Sequence, residues 1–473
     1  MSSFFSQFKR KFSKTMYKNL KINLGEMTFF KDFVNDTKGD LYPIKDKSDD
    51  CLEFVKDNRY VLESGSISRM ICQFFPYATY KATYTASNAD VGFLFNLVDT
   101  DARLTLNGNV LSFECNGRKE EKELASNLIS EENSLIVSCR PGAFDVYLEI
   151  NGKPEYQHTV YEDAFLDSNI ESVFSNSYAY LYVSGIAIIK EACSYIDSGI
   201  SFADIRPIKY EDGEVIQEDG KIYFTATIRM QENSFQGIFS WNYTTSSINL
   251  TGAVFYDSGD GRWRNYLAPV FIYHREKKEW LIWVSSFEHK HILAYSKFEG
   301  DPRFGVNVVD VKFMKEASPD SDITDFVGFK GDEDPDLLYD EQNGRWLLAI
   351  CRVVPKIGYA YLFFESDDPF LNFRYIGRGE PGSETGGSFV RRNGELAFVC
   401  GNAYSPRSQY RIYTKHGMEI ADFNHPDGGF RGWGSVFKIK AGSRTRYFWL
   451  TFDRHNGSNY GWSYGNFYCF EMI

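Results

Sequence analysis

Residues 331–400 write one unit twice. In the first copy Asp334 stands in the turn Gly331-Asp-Glu-Asp-Pro335, and the apolar run Leu337-Leu-Tyr339 follows. The polar turn Glu341-Gln-Asn-Gly344 then leads into a second apolar run, Arg345-Trp-Leu-Leu-Ala-Ile350. In the second copy Glu384 stands in Gly382-Ser-Glu-Thr-Gly-Gly387, followed by Ser388-Phe-Val390, the turn Arg392-Asn-Gly394 and the run Glu395-Leu-Ala-Phe-Val-Cys400. Asn-Gly pairs between apolar runs signal hairpins, because both central residues of the tight turn need positive φ. Each copy is therefore a hairpin with a carboxylate at its mouth, and the two carboxylates lie 50 residues apart. A strand–turn–strand unit recurring at about that period is the signature of propeller blades.

The same unit extends in both directions. Asp204-Ile-Arg-Pro-Ile-Lys-Tyr210 precedes Lys221–Thr227 and Phe235–Ser240, and Ala268-Pro-Val-Phe-Ile-Tyr273 precedes Trp280–Ser285 and Ile292–Ser296. Beyond the two central copies, Gly434–Ile439 precedes Arg446–Thr451 and Gly465–Phe470. The starts fall near 204, 268, 334, 384 and 434, spaced by 64, 66, 50 and 50 residues. This predicts an all-β fold with a five-bladed β-propeller over 195–473. Three or more short strands per unit leave no competing helical period.

Residues 50–193 are also strand-rich but do not repeat. Tyr77–Tyr84, Val91–Phe95, Arg103–Leu106 before Asn107-Gly108, Ser134–Ser138, Phe144–Ile150 before Asn151-Gly152, and Ala179–Ser184 are short runs between turns. That texture predicts a β-sandwich domain. Its strand–Asn-Gly–strand hairpin and late strand resemble the concanavalin/laminin-G type of jelly roll. Such a module is either a sugar binder or structural. Residues 1–49 form an N-terminal segment. Within 1–20, Phe4, Phe8, Phe12 and Met16 recur every four residues among Lys9, Arg10, Lys11, Lys14 and Lys18, which predicts an amphipathic basic helix. That helix suits either docking on the body of the protein or contact with an anionic membrane surface.

Composition narrows the function. The formal net charge of −12 argues against a nucleic-acid partner, whose phosphates need a basic footprint. Aromatic residues make up 17% of the chain, which suits pleated, half-buried surfaces as well as sugar-stacking platforms. The eight cysteines are scattered through apolar runs with no C-x-x-C, so reduced core thiols are expected rather than disulfides or a zinc site. No run reaches the ~18 apolar residues of a membrane span, and the first residues lack a signal-peptide core. The expectation is a cytoplasmic protein.

The first strand of each propeller blade lines the central channel, so residues at blade mouths converge. Asp204, Asp334 and Glu384 stand at three of those mouths. Glycoside hydrolysis needs one acid to protonate the leaving oxygen and a second carboxylate to activate water or attack the sugar. A third carboxylate holds the acid's pKa high, because like charges resist ionising together. Taken singly, an Asp in a turn is explained by hydrogen bonds to nearby backbone amides. Three acids at three of the five blade mouths are less easily explained that way.

These residues resemble glycoside hydrolase family 43, the arabinanase and β-xylosidase group, and its five-bladed clan relatives that act on fructans. Ala203-Asp204-Ile205 looks like the family's first acidic motif, Asp334-Pro335 like the second, and Glu384 before its hairpin like the third. Ala268-Pro269 is similar to the family's second blade, which carries no catalytic acid. The resemblance covers about 195–473. It implies that Asp204 is the general base, Asp334 the pKa modulator and orienter, and Glu384 the general acid of an inverting reaction. The chain departs from the pattern in placing Ile-Arg before Pro207, and in having Arg431-Gly-Trp-Gly434 where relatives place a histidine near a central calcium. No metal and no cofactor are therefore expected. Asp332, Glu333 and Asp336 crowd Asp334 and compete for its role.

Arg206, Arg264, Trp433 and His455 stand at loop-like positions and are candidate substrate contacts. His289 and His291 flank Lys290 with a spacing that suits a metal, but without a third ligand in view exposed turn histidines are the simpler reading. The sequence thus points to an inverting exo-glycosidase on short furanosidic or pentose-containing oligosaccharides. Two alternatives stay open. One is a retaining fructan hydrolase or transferase with Asp204 as nucleophile; the other is a non-catalytic carbohydrate-binding or cell-surface glycan assembly protein.

Overall fold

The computed structural model of the protein describes residues 19–20, 66–125, 132–197, 201–229, 231–232, 234–245, 247–287, 291–315, 327–329, 331–354, 356, 358–380, 382–392, 395–402, 409–422, 433–442, 444–452 and 467–472. The basic helix expected over 1–20 lies outside them, apart from Asn19–Leu20, which pair with Phe467–Met472 as a short strand. The fold is all-β: strands follow one another through the described residues, with only a four-residue helix and a short 3-10 turn between them. The chain divides into two compact units. One holds 198–259 and 265–473 together with 1–27, and the other holds 28–197 with 260–264.

The larger unit is a succession of antiparallel meanders. The first runs Ser201–Pro207, Lys221–Arg229, Ser234–Asn242 and Ile248–Asp257, and Gly305–Asp310 adds in parallel at its edge. The second runs Leu267–His274, Glu279–Ser286, Ile292–Phe298 and Lys312–Phe313. The third runs Glu333–Asp340, Arg345–Val354, Gly358–Ser366 and Arg374–Arg378. A fourth follows from Gly382–Arg392 through Glu395–Asn402 and Gln409–Thr414 to Gly417–Asp422, and Ser435–Ala441, Arg444–Phe452 and Phe467–Met472 form the last.

Side-chain alternation explains how these sheets stack. Glu279–Ser286 is an apolar run because both its faces are covered. Ile282 joins Ile238, Val254 and Phe271 in a core between the first two sheets. Its neighbours Leu281 and Trp283 point the other way and join Leu348, Ile350 and Leu362 between the second and third. In Arg345–Val354 the alternation repeats: Leu347 and Ala349 meet Phe389 and Phe398 of the fourth. Replacing any of these buried aliphatic residues by alanine costs ~2–5 kcal/mol, since the cavity refills only partly.

One irregularity recurs and shapes the site. The register of the first two strands shifts between Ala203 and Arg206, between Leu267 and Val270, between Glu333 and Asp336, and between Thr385 and Ser388. Each bulge contains one residue with left-handed φ: Asp204 at 56°, Ala268 at 52°, Asp334 at 49° and Gly386 at 57°. The four positions are equivalent in the repeat. Bulges bend a strand and re-aim a side chain, and a non-glycine residue at positive φ is uncommon enough to need a reason.

The smaller unit is built on two long strands, Thr79–Leu97 and Tyr178–Tyr195, paired along most of their length. Both bend in the middle, at Asn88 with φ 61° and at Gly185 with φ 106°. Beyond the bend Val91–Leu97 carries Thr100–Asn107, Val110–Cys115 and Arg118–Glu123, while Thr79–Thr85 carries Glu132–Arg140, Ala143–Ile150 and Lys153–Tyr161. The sheet folds back on itself, so Phe95 stacks on Phe144 at 5.1 Å and Phe113 lies 5.8 Å from the same ring. Asn151-Gly152 forms the expected tight turn, with φ 53° and 75°. The other hairpin turns one residue later than its sequence suggests. Asn107 pairs with Val110 and spends its side chain on Asp90 at 3.0 Å, which leaves Gly108-Asn109 at the tip. The Asp260–Arg264 segment belongs to this unit through Trp263, whose ring packs on Phe75 and Phe174.

Candidate active site

Asp204 and Asp334 occupy equivalent left-handed bulge positions at the mouths of the first and third meanders, and both are almost completely buried. Oδ2 of Asp204 accepts the Thr227 hydroxyl at 2.7 Å, with Arg229 Nη2 4.0 Å away. Oδ2 of Asp334 accepts the Thr385 hydroxyl at 3.0 Å and the Gly386 amide at 3.2 Å, so its carboxylate reaches across to the fourth meander. The Asp334 amide donates to Ser285 Oγ of the second meander at 3.1 Å.

Glu384 precedes the equivalent bulge position, Gly386, by two residues. Its side chain turns to a different set of partners. Oε2 accepts the Tyr361 amide at 2.7 Å, and Oε1 accepts Arg411 Nη1 at 3.0 Å and the Tyr413 hydroxyl. A Cβ on Gly379 would stand 2.1 Å from Oε2, so only glycine fits there. Burial raises the Glu384 carboxyl above the ordinary glutamate value, against the downward pull of Tyr413, the Tyr361 amide and Arg411. The Cys351 thiol donates to the Glu384 carbonyl at 3.2 Å. Burial holds that thiol well above the ordinary cysteine value, and the negative charges of Glu333, Asp334 and Glu384 add to the effect.

Arg206 joins the turns. It lies two residues beyond Asp204, is 1% exposed, and donates through Nη1 to the Gly387 carbonyl and through Nη2 to the Asp334 carbonyl at 3.3 Å. Its guanidinium lies 5.1 Å from the centre of the Trp433 ring and 3.6 Å from Asp336 Oδ1. Asp336 is neutralised mainly by Lys209, whose Nζ bonds both carboxylate oxygens at 2.8 and 2.9 Å, and it also accepts the Phe389 amide at 2.7 Å. Burial lowers the Lys209 ammonium below the ordinary lysine value, opposed by Asp336. Tyr361 completes the knot, with its hydroxyl donating to the Asp334 carbonyl at 3.3 Å and accepting the Gly387 amide.

The residues singled out in the sequence separate on this geometry. Arg206 and Trp433 are both buried and make internal contacts rather than facing a substrate: Trp433 lies against Gly386, where a Cβ would come within 2.1 Å of its ring. Arg264 belongs to the smaller unit, where both guanidinium nitrogens bond Asp260. His455 and His289 lie outside the described residues, and His291 accepts the Gly331 amide at its carbonyl, 2.7 Å away. Of the acids crowding Asp334, Asp332 is bound to Arg352 and to the Gly328 and Phe329 amides, and Asp336 is bound to Lys209. Glu333 is half-buried. No group of three His, Cys, Asp or Glu side chains suited to a metal occurs among the described residues. Lys209, Tyr361, Arg411 and Tyr413 gave no signal in the sequence, since each is an unremarkable member of a strand.

No protein-family model matches the sequence, and no curated protein matches it. Solved structures similar to it include carbohydrate-active proteins at low identity. The chain is similar to the α-L-arabinofuranosidase from Lactobacillus brevis at 13% identity and a TM-score of 0.40, over 57% of this chain and 90% of that one. It is similar to a B. megaterium levansucrase variant at 11% identity and a TM-score of 0.40, over 56% of this chain and 81% of that one. An exo-β-1,3-galactanase from Clostridium thermocellum matches at 10% identity and a TM-score of 0.38, over 56% of this chain; the match spans only 62% of the galactanase.

Proposed function

We propose that the larger unit is a five-bladed propeller carrying a glycoside hydrolase site, and that the folded sheet of the smaller unit is an accompanying β-sandwich. The observation that carries the reading is the Arg206 knot. One buried guanidinium ties the Asp334 carbonyl to the Gly387 carbonyl, three residues beyond Glu384, and Asp204 lies two residues away on the same strand. Arg206 thereby links the strands that carry the three carboxylates through their backbone, and two of the carboxylates sit on left-handed bulges. Backbone strain held by its surroundings is characteristic of functional sites.

In this reading Asp204 is the general base and activates water, with Thr227 fixing one of its oxygens. Asp334 orients the centre through Thr385 and Gly386. Glu384, whose carboxyl burial raises above the ordinary glutamate value, is the general acid that delivers a proton to the leaving oxygen. The substrate is a short furanosidic or pentose-containing oligosaccharide and the reaction is inverting. The scattered free thiols, most of them buried, accord with a reducing, cytoplasmic setting. The test is a panel of aryl-glycosides followed by NMR of the first-formed anomer. Release of the inverted sugar by wild type, with more than a hundredfold loss in Asp204→Asn, is expected. Release of the retained anomer would instead favour the fructan-type mechanism with Asp204 as nucleophile, and a panel with no turnover would remove the enzyme reading.

A further inference from the structure

A groove of about 770 Å³ opens between the third and fourth meanders, on residues that the proposed reaction does not use except for Tyr413. Its size falls in the ~300–1,000 Å³ range of sites that take small molecules. Phe363, Phe389 and Phe398 form its floor, their rings meeting at 5.0 to 6.5 Å. Ile376, 47% exposed, adds apolar surface at the wall. Beside it Gly377 lines the space, and a Cβ built there meets no atom within 4 Å.

The rim is charged and unbalanced. Arg391 bonds Asp340 Oδ1 at 2.6 Å, and Lys415 stands 3.2 Å from Glu395. Arg378, exposed at the same rim, has no carboxylate within ion-pair distance among the described residues. An apolar floor beside one unmatched guanidinium is complementary to a molecule with an apolar body and a single negative head. We propose that the groove binds an amphipathic carboxylate, its chain or ring on the phenylalanine floor and its carboxylate on Arg378. The inference does not rest on the glycosidase reading. It does touch that reading at one point: Tyr413 lines the groove with its ring and bonds Glu384 with its hydroxyl.

The test is isothermal titration of the full chain with decanoate below its micellar concentration, with 1-decanol as the uncharged counterpart. One saturable decanoate site per chain is expected, with decanol at least tenfold weaker. Arg378→Glu should weaken decanoate at least tenfold. Gly377→Phe should fill the groove and abolish binding without lowering Tm, because its side chain enters open space. Absence of a saturable site, equal affinity for decanol, or undiminished binding by either variant would overturn the proposal.

Discussion

Lys209→Met keeps the length of the side chain and removes its charge. Breaking a buried ion pair by deleting one partner costs ~3–5 kcal/mol, because the surviving charge is left in a poorly polarisable interior. Here the surviving charge is Asp336, which is fully buried. Two groups soften the loss: the Phe389 amide still donates at 2.7 Å, and Arg206 stands 3.6 Å from Oδ1. A hydrogen bond to a charged group is worth ~1.5–3 kcal/mol, so the low end of the range, about 3 kcal/mol, is expected. In a unit of this size each kcal/mol moves the melting temperature by ~2–4 °C, which gives a fall of ~6–12 °C. Arg206→Met should cost less, ~1–3 kcal/mol. Asp336 then keeps both Lys209 bonds and the Asp334 carbonyl keeps the Tyr361 hydroxyl, so the Gly387 carbonyl loses most. The assay is thermal denaturation followed by circular dichroism. Arg206→Met at least as damaging as Lys209→Met would refute the reasoning, because the guanidinium would then be what neutralises Asp336. A pH series adds a second check. The folded-state Lys209 pKa is depressed, so just below the ordinary lysine value the unfolded chain binds more protons and stability rises with pH. Lys209→Met should remove that slope.

Gly386→Ala places a methyl 2.1 Å from Trp433 at φ 57°, and the combined overlap and strain should cost at least ~3 kcal/mol, read as a fall in Tm or in soluble yield. Ala268→Gly, at the equivalent bulge of the second meander, relieves a left-handed alanine and should be neutral to stabilising by up to ~1 kcal/mol in the same assay. Tyr413→Phe removes the hydroxyl that pulls the Glu384 carboxyl down. The folded-state pKa of Glu384 should rise further, so the alkaline limb of the kcat/KM profile, set by loss of the acid's proton, should move to higher pH.

The hairpins were legible because Asn-Gly turns and apolar runs are local signals. Asn343-Gly344 and Asn151-Gly152 mark turns where they were read, and the repeat starts fall on the first strands of the meanders. The long-range partners were not legible. Alternation says that Tyr361 faces one side of its sheet; it does not say that its hydroxyl meets backbone 26 and 27 residues away. Trp433 reads as a substrate contact at a loop-like position until Gly386, which lacks a Cβ, is seen to admit the ring. Arg206 reads as a substrate contact for a similar reason. Its burial depends on acceptors 128 and 181 residues away, which no window of sequence displays. Bulges escape too, because a shift of one residue in pairing leaves no mark in composition.

The proposed role of Glu384, delivery of a proton to a sugar leaving group, is measured most directly by the leaving-group dependence of Glu384→Gln. The variant keeps the shape of the side chain and removes the acid. Turnover of a natural pentose-containing oligosaccharide should fall more than a hundredfold, since one positioned acid contributes ~10²–10⁴. Turnover of the matching dinitrophenyl glycoside, whose leaving group needs little protonation, should fall less than tenfold. Equal losses on both substrates, or wild-type rates on the oligosaccharide, would contradict the assignment of Glu384 as the acid.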